Sequence, residues 1–92
     1  MSEAVRPVRT SMELGEEIRR ARTEAGLSQA ALAARAGVGR PWLSELEGGK
    51  RTVEVGRVLS VLGALDLAIN LVPRPVPAPG EIDLDALLDE LG

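Results

Sequence analysis

The chain has 92 residues, a net charge of −3, and neither cysteine, histidine nor tyrosine. Without those side chains it lacks disulfides, thiolate metal ligands, the commonest general base and the best nucleophile, so no enzyme, metal, cofactor or small-molecule ligand is expected. The opening MSEAVRPVRT has no apolar signal run and no stretch nears the roughly 20 apolar residues that span a bilayer, which points to a cytoplasmic protein without a membrane.

The charge is divided along the chain. Every basic residue lies at or before Arg74, whereas Glu81, Asp83, Asp85, Asp89 and Glu90 crowd the last dozen positions without a base. The first 80 residues therefore hold a net charge of +2, enough for a body that touches phosphates, and the acidic character belongs to a tail with a separate role.

Residues 1–9 are polar, broken by Pro7 and carry Arg6 and Arg9; they read as a flexible arm, either idle or able to reach a nucleic acid. Thr10 and Glu13 spell a capping box that starts the first helix. Leu14, Ile18, Ala21 and Ala25 share one face of it, and Gly26 ends it. Arg22 lies on or beside that apolar face, where an unpaired charge is costly. Glu47 is its candidate partner, and the alternative is an Arg22 that snorkels to solvent.

The stretch from Leu27 to Lys50 spells two short helices joined by a tight turn. Ser28 is an N-cap, Gln29 to Ala36 is rich in alanine, and Gly37 supplies the left-handed backbone between the helices. A second helix begins near Gly39. Ala33 is small enough for close approach, and Leu32, Val38, Leu43 and Leu46 are the candidate core between the two. Arg40, Pro41, Ser44 and Glu45 fall on the exposed face of the second helix.

Gly48 and Gly49 break the chain, and Lys50 and Arg51 follow at once. Thr52 is the expected cap of a fourth helix lined by Val55, Val58, Leu59 and Leu62, which Gly63 either stops or weakens. Residues 67–72, LAINLV, alternate, contain β-branched Ile69 and Val72, and precede Pro73, so a strand is expected. With no second strand in the chain, Leu67, Ile69 and Leu71 are candidate dimer contacts with a symmetry-related copy. A core built from about 63 residues is also small for a monomer without disulfides. The domain reading is thus an arm at 1–9, a body at 10–72, a proline-rich spacer at 73–80 and an amphipathic acidic tail at 81–92. In the tail, Leu84, Leu87, Leu88 and Leu91 repeat at helical spacing. So short a helix is unstable alone, which leaves a tail that binds a partner, docks on its own domain, or merely solubilises.

The two-helix unit resembles the helix-turn-helix family of lambda-type repressors and xenobiotic-response-element (XRE) regulators, through Gln29, Ala33, Gly37, Leu43 and Leu46. The resemblance implies a second helix that reads the major groove, and in the lambda-type pattern the positions matching Arg22 and Glu47 pair. Gln29 is the expected phosphate contact at a helix N-terminus, with Lys50 and Arg51 as charged backbone clamps. Arg40 is placed to take guanine O6 and N7 together. Ser44 and Glu45 lie about a turn further on, Glu45 either accepting from cytosine or penalising wrong contacts, while Pro41 sets the first turn and can touch a thymine methyl. Trp42 has two open readings, an indole N–H on a phosphate or a packing residue between helices or subunits.

From Thr10 to Pro73 the order of parts, with GALDLAINLVPR after the fourth helix, is similar to the HipB-type antitoxins of toxin–antitoxin modules. This implies an all-α, lambda-repressor-like domain of four or five helices with a short C-terminal β-strand paired across a homodimer. It also implies double-stranded operator DNA and a HipA-type serine/threonine kinase toxin as partners, the antitoxin repressing its own operon and neutralising the kinase. The recognition helix departs from that family at Arg40, Pro41 and Trp42, so its operator is its own. The rival expectations are a stand-alone XRE-family repressor and an adaptor that binds protein or RNA.

Overall fold

The computed structural model describes residues 7–74 and 84–91. Five helices follow one another: α1 (Ser11–Glu24), α2 (Gln29–Ala36), α3 (Arg40–Glu47), α4 (Val55–Ala64) and α5 (Leu84–Leu91). Residues 1–6 of the arm, residues 75–83 of the spacer and tail, and Gly92 lie outside the described residues.

Local chemistry sets the helix ends. Thr10 Oγ1 accepts the Glu13 N–H at 3.0 Å, and Glu13 reaches back one residue beyond the usual box to take the Arg9 N–H at 2.7 Å. Ser28 Oγ accepts the Ala31 N–H at the start of α2. At its end Gly37 has φ +72, and the next N–H, of Val38, returns to Ala33 O at 3.0 Å, which turns the chain sharply into α3.

Ile18, Leu32, Ala33, Leu43, Leu46, Val58, Val61 and Leu62 form the core, with Leu14, Leu27, Val38 and Trp42 packed around it. Each large side chain removed from water there contributes about 1.5–3 kcal/mol. α2 packs on both α3 and α4, and α1 packs on α3. That last contact depends on Gly15. A Cβ at Gly15 would lie 2.5 Å from Leu46 O and 2.6 Å from Glu47 O, so the α1 backbone can touch the α3 backbone only where no side chain stands.

Three expectations for the fourth helix need correction. Its N-cap is Glu54, without a side-chain hydrogen bond, and Thr52 lies outside it. The buried face is Val58, Val61 and Leu62, leaving Val55 and Leu59 exposed. Val61 and Leu62 lie three and four residues from Val58 and share its face, whereas Leu59 turns about 100° away from Val58. Val55, though in phase with Val58 and Leu62, is the exposed first residue of the helix. Gly63 does not stop the helix either. It runs to Ala64 and closes at Asp66, whose φ of 57° places a non-glycine residue in the left-handed region while the Leu67 N–H returns to Leu62 O at 2.8 Å.

Residues 67–72 are irregular, and among the described residues there is no strand. Leu67, Ile69, Leu71 and Val72 are exposed, Leu71 at 91%. A ladder needs donors and acceptors from a second strand, and none stands among the described residues.

The tail forms α5 and docks on its own body. The Ser11 N–H at the start of α1 donates to Asp85 Oδ2 at 2.8 Å, and Arg51 Nη2 donates to Asp89 Oδ1 at 2.9 Å. Among the described residues no helix is long and apolar enough to cross a membrane.

Candidate nucleic-acid interface

α2 and α3 meet at a fixed angle because Gly37 and Val38 close the turn and because Leu32, Ala33, Leu43 and Leu46 are buried between them. The outward residues of α3 are consequently Arg40, Pro41, Ser44 and Glu45, all exposed. Pro41 lies in the first turn, where its missing N–H costs no helical bond, and Gly39 caps the helix without a side-chain bond. The start of α3 thus presents one cation, a rigid ring and free backbone donors.

Trp42 points the other way. It is half-buried against the core, and the Arg57 guanidinium of α4 lies 5.8 Å from its ring centroid while also pairing with Glu54. A packing role between α3 and α4 accounts for both contacts.

Behind the exposed face a buried polar network fixes the helix. Arg22 Nε and Nη2 donate to Glu47 Oε2 and Oε1 at 2.7 and 3.0 Å, Arg22 Nη1 donates to Leu27 O at 2.8 Å, and Gln29 Nε2 donates to Glu47 Oε1 at 3.2 Å. The side chains of Arg22 and Glu47 are only 12% and 4% exposed, so the planar fork is desolvated and its donors are used. Gln29 therefore stands at the α2 N-terminus with one amide hydrogen bond already made.

An open groove beside this network is lined by Arg19, Arg22, Gln29, Ser44, Glu47 and Gly48. Arg19 was not singled out from the sequence, although Arg19 and Arg22 are spaced three apart in a helix and so share a face. Gly15, whose lack of a side chain seats α3, also escaped notice. Its spacing from the apolar residues carries no signal of a backbone contact.

The two basic residues of the turn after α3, Lys50 and Arg51, are already partnered. Lys50 Nζ donates to Glu45 Oε2 at 2.9 Å, joining the turn after α3 to its exposed face. Arg51 lies between two acids of α5, with Nε 3.5 Å from Asp85 Oδ1 in addition to its bond with Asp89. On α5 itself Leu87, Leu88 and Leu91 remain exposed, while Asp85 and Asp89 make the polar contacts with the body. The candidate interface residues thus belong to α2, α3 and the turn after it, whereas Leu67, Ile69 and Leu71 follow α4 in irregular chain.

Comparison with known proteins agrees with this geometry. Residues 13–74 match the family described as a helix-turn-helix domain. The chain is 39% identical over 74 residues to the HTH-type transcriptional regulator y4mF of Sinorhizobium fredii, covering 80% of this chain and 91% of that one. Among solved structures, the restriction-modification controller protein C.AhdI of Aeromonas hydrophila is 34% identical with a TM-score of 0.59, covering 63% of this chain and 88% of its own. HipB bound to its O4 20mer superposes with a TM-score of 0.72 over 77% of this chain and all of HipB; at 18% identity, that likeness is one of fold. With the family match spanning α1 to the end of the body and a regulator related over four-fifths of the sequence, this chain belongs to the XRE-type helix-turn-helix family of DNA-binding transcriptional regulators.

Proposed function

We propose that the chain is a homodimeric repressor that binds an operator in its own upstream region. The observation that carries this reading is the separation of roles on α3: Leu43, Leu46 and Glu47 are buried, and Arg40, Pro41, Ser44 and Glu45 are left exposed beside Lys50 and the Gln29 end of α2. Arg40 reads a base, Gln29, Lys50 and Arg51 hold phosphates, and Ser44 and Glu45 refine the choice. Arg19, in the same groove as Gln29 and Ser44, adds a further phosphate contact.

The dimer reading is supported by the run of exposed apolar residues Leu67, Ile69, Leu71 and Val72, joined by Val55 and Leu59 of α4. A two-fold partner that pairs residues 67–72 as an antiparallel ribbon supplies the missing ladder and covers that surface. The test is fluorescence anisotropy on a duplex from the chain's own upstream region. Expected are two inverted half-sites about one helical turn, roughly 34 Å, apart and an affinity that falls steeply with salt. Binding with no salt dependence, or to protein or RNA alone, would overturn it in favour of an adaptor.

A second reading is a HipB-type antitoxin with a kinase-toxin partner. It is favoured by the likeness to HipB over all of that protein's length, since HipB has also been solved with HipA on O2–O3 DNA. The tail offers the contact: Leu87, Leu88 and Leu91 are exposed on α5 and make an apolar patch for a groove on the partner. Co-purification of a kinase encoded beside this chain, lost when residues 81–92 are deleted, would support it. A neighbourhood without a kinase leaves the stand-alone repressor.

A further inference from the structure

The tail's acids need not lie against the body. An acidic stretch tethered through nine residues, 75–83, is free to stay in solvent, yet Asp85 and Asp89 of α5 seat on two groups that attract anions. One is the Ser11 N–H at the positive end of α1, a helix of 14 residues. The other is the Arg51 guanidinium, which is held from two sides. The α1 N-terminus lies beside the turn after α3, where Met12 Cα is 3.0 Å from the position of a Cβ on Gly49. Two residues on is Arg51, and between them Lys50 bonds to Glu45 on the reading face. The docked carboxylates therefore occupy the border of the interface.

We propose that α5 is an internal competitor of DNA: Asp85 and Asp89 hold Arg51 and the α1 N-terminus in place of backbone phosphates, so that DNA must displace α5 to engage Arg51. The inference rests on the DNA-binding reading above. Carboxylate and phosphate oxygens satisfy the same donors, and a guanidinium paired with one is withdrawn from the other. The tether makes the competition effective, because a segment joined by a short linker faces its site at an effective concentration of about a millimolar. The pairs are exposed, so displacement is cheap and the device moderates binding without abolishing it. A partner that took hold of Leu87, Leu88 and Leu91 would draw α5 off the body and free Arg51, coupling partner capture to tighter DNA binding.

The test uses the full chain and both its upstream duplex and a mixed-sequence duplex. Asp89→Asn should raise affinity about two- to fivefold, and Asp85→Asn/Asp89→Asn up to about tenfold, equally on both duplexes because Arg51 meets phosphate. The salt slope of the double variant should steepen by about one unit, since wild-type carboxylates recapture cations when released. Glu90→Gln removes the same charge from the next position of α5, where no ion pair is made among the described residues, and should change affinity much less. In an Arg51→Ala background the gain from Asp89→Asn should vanish, since Arg51 is the partner of Asp89. Nuclear magnetic resonance on the wild-type chain gives a readout apart from affinity: saturating duplex should move the Ser11 amide and the α5 amides toward their positions in the double variant. Equal gains from Asp89→Asn and Glu90→Gln, a gain that persists without Arg51, or α5 amides unmoved by DNA would each overturn the inference. If no variant binds any duplex in a salt-dependent way, the DNA-binding reading itself fails. If binding is present and Asp89→Asn matches wild type, only the competition fails.

Discussion

Arg22 and Glu47 meet as a two-point fork across the join of α1 with the end of α3, Nε to Oε2 at 2.7 Å and Nη2 to Oε1 at 3.0 Å. Removing one partner strands the other. Arg22→Met should cost about 3–5 kcal/mol in urea unfolding, because Glu47 is left charged and buried. Arg22→Met/Glu47→Leu should recover most of that stability, as apolar replacements of buried pairs commonly do. The recovered protein should still bind DNA more weakly, since Gln29 has lost the Glu47 acceptor that orients its amide. A double variant as unstable as the single would show that the pair contributes more than its desolvation costs.

Gly15→Ala would usually favour a helix, by about 1 kcal/mol. Here its Cβ meets the carbonyls of Leu46 and Glu47, and backbone cannot swing aside as a flexible side chain does. A net loss of about 1–3 kcal/mol is expected, with DNA binding weakened as α3 is pushed outward. A raised melting temperature would mean that α1 and α3 approach less closely than described.

Arg40→Ala should cost about 1–3 kcal/mol on the operator and flatten the preference among bases. Lys50→Ala should instead weaken specific and random duplexes alike and reduce the salt slope by about one unit. Competition titrations on both duplexes separate the two. Equal losses on operator and random DNA for Arg40→Ala would remove it as a base reader.

Ile69→Pro should convert the proposed dimer to a monomer by deleting a ladder donor at the centre of its ribbon. The body should stay folded, because residues 67–72 contribute nothing to its core. Light scattering that still reports a dimer would move the interface elsewhere, with Val55 and Leu59 of α4 the next surface to vary.

Elements governed by short-range chemistry were legible in the sequence. Thr10, Ser28 and Gly37 mark helix ends because capping is decided within a few residues, and the cores of α2 and α3 follow from apolar spacing. α4 was harder: a run of Val55, Val58, Leu59, Val61 and Leu62 offers more than one apolar face, and only packing against α2 selects among them. The residues that escaped are those whose role is set by distant backbone or charge. Gly15 touches α3 through backbone atoms, and Arg51 is claimed by acids 34 and 38 positions later in the chain. In the tail, α5 meets the body through Asp85 and Asp89, whereas helical periodicity points to its leucines.

The lopsided support of α3 has an evolutionary consequence. Its C-terminal end is riveted to α1 through Glu47 and the bare surface of Gly15, while its N-terminal end begins at an uncapped Gly39 and carries exposed side chains. Mutations at Arg40, Ser44 and Glu45 therefore fall where folding imposes little penalty, and changes at Leu46 or Glu47 fall where it imposes much. Operator preference can drift, or be redesigned, one exposed residue at a time on an unchanged scaffold. A lineage of duplicated copies could diverge to separate targets without any of them first having to become less stable.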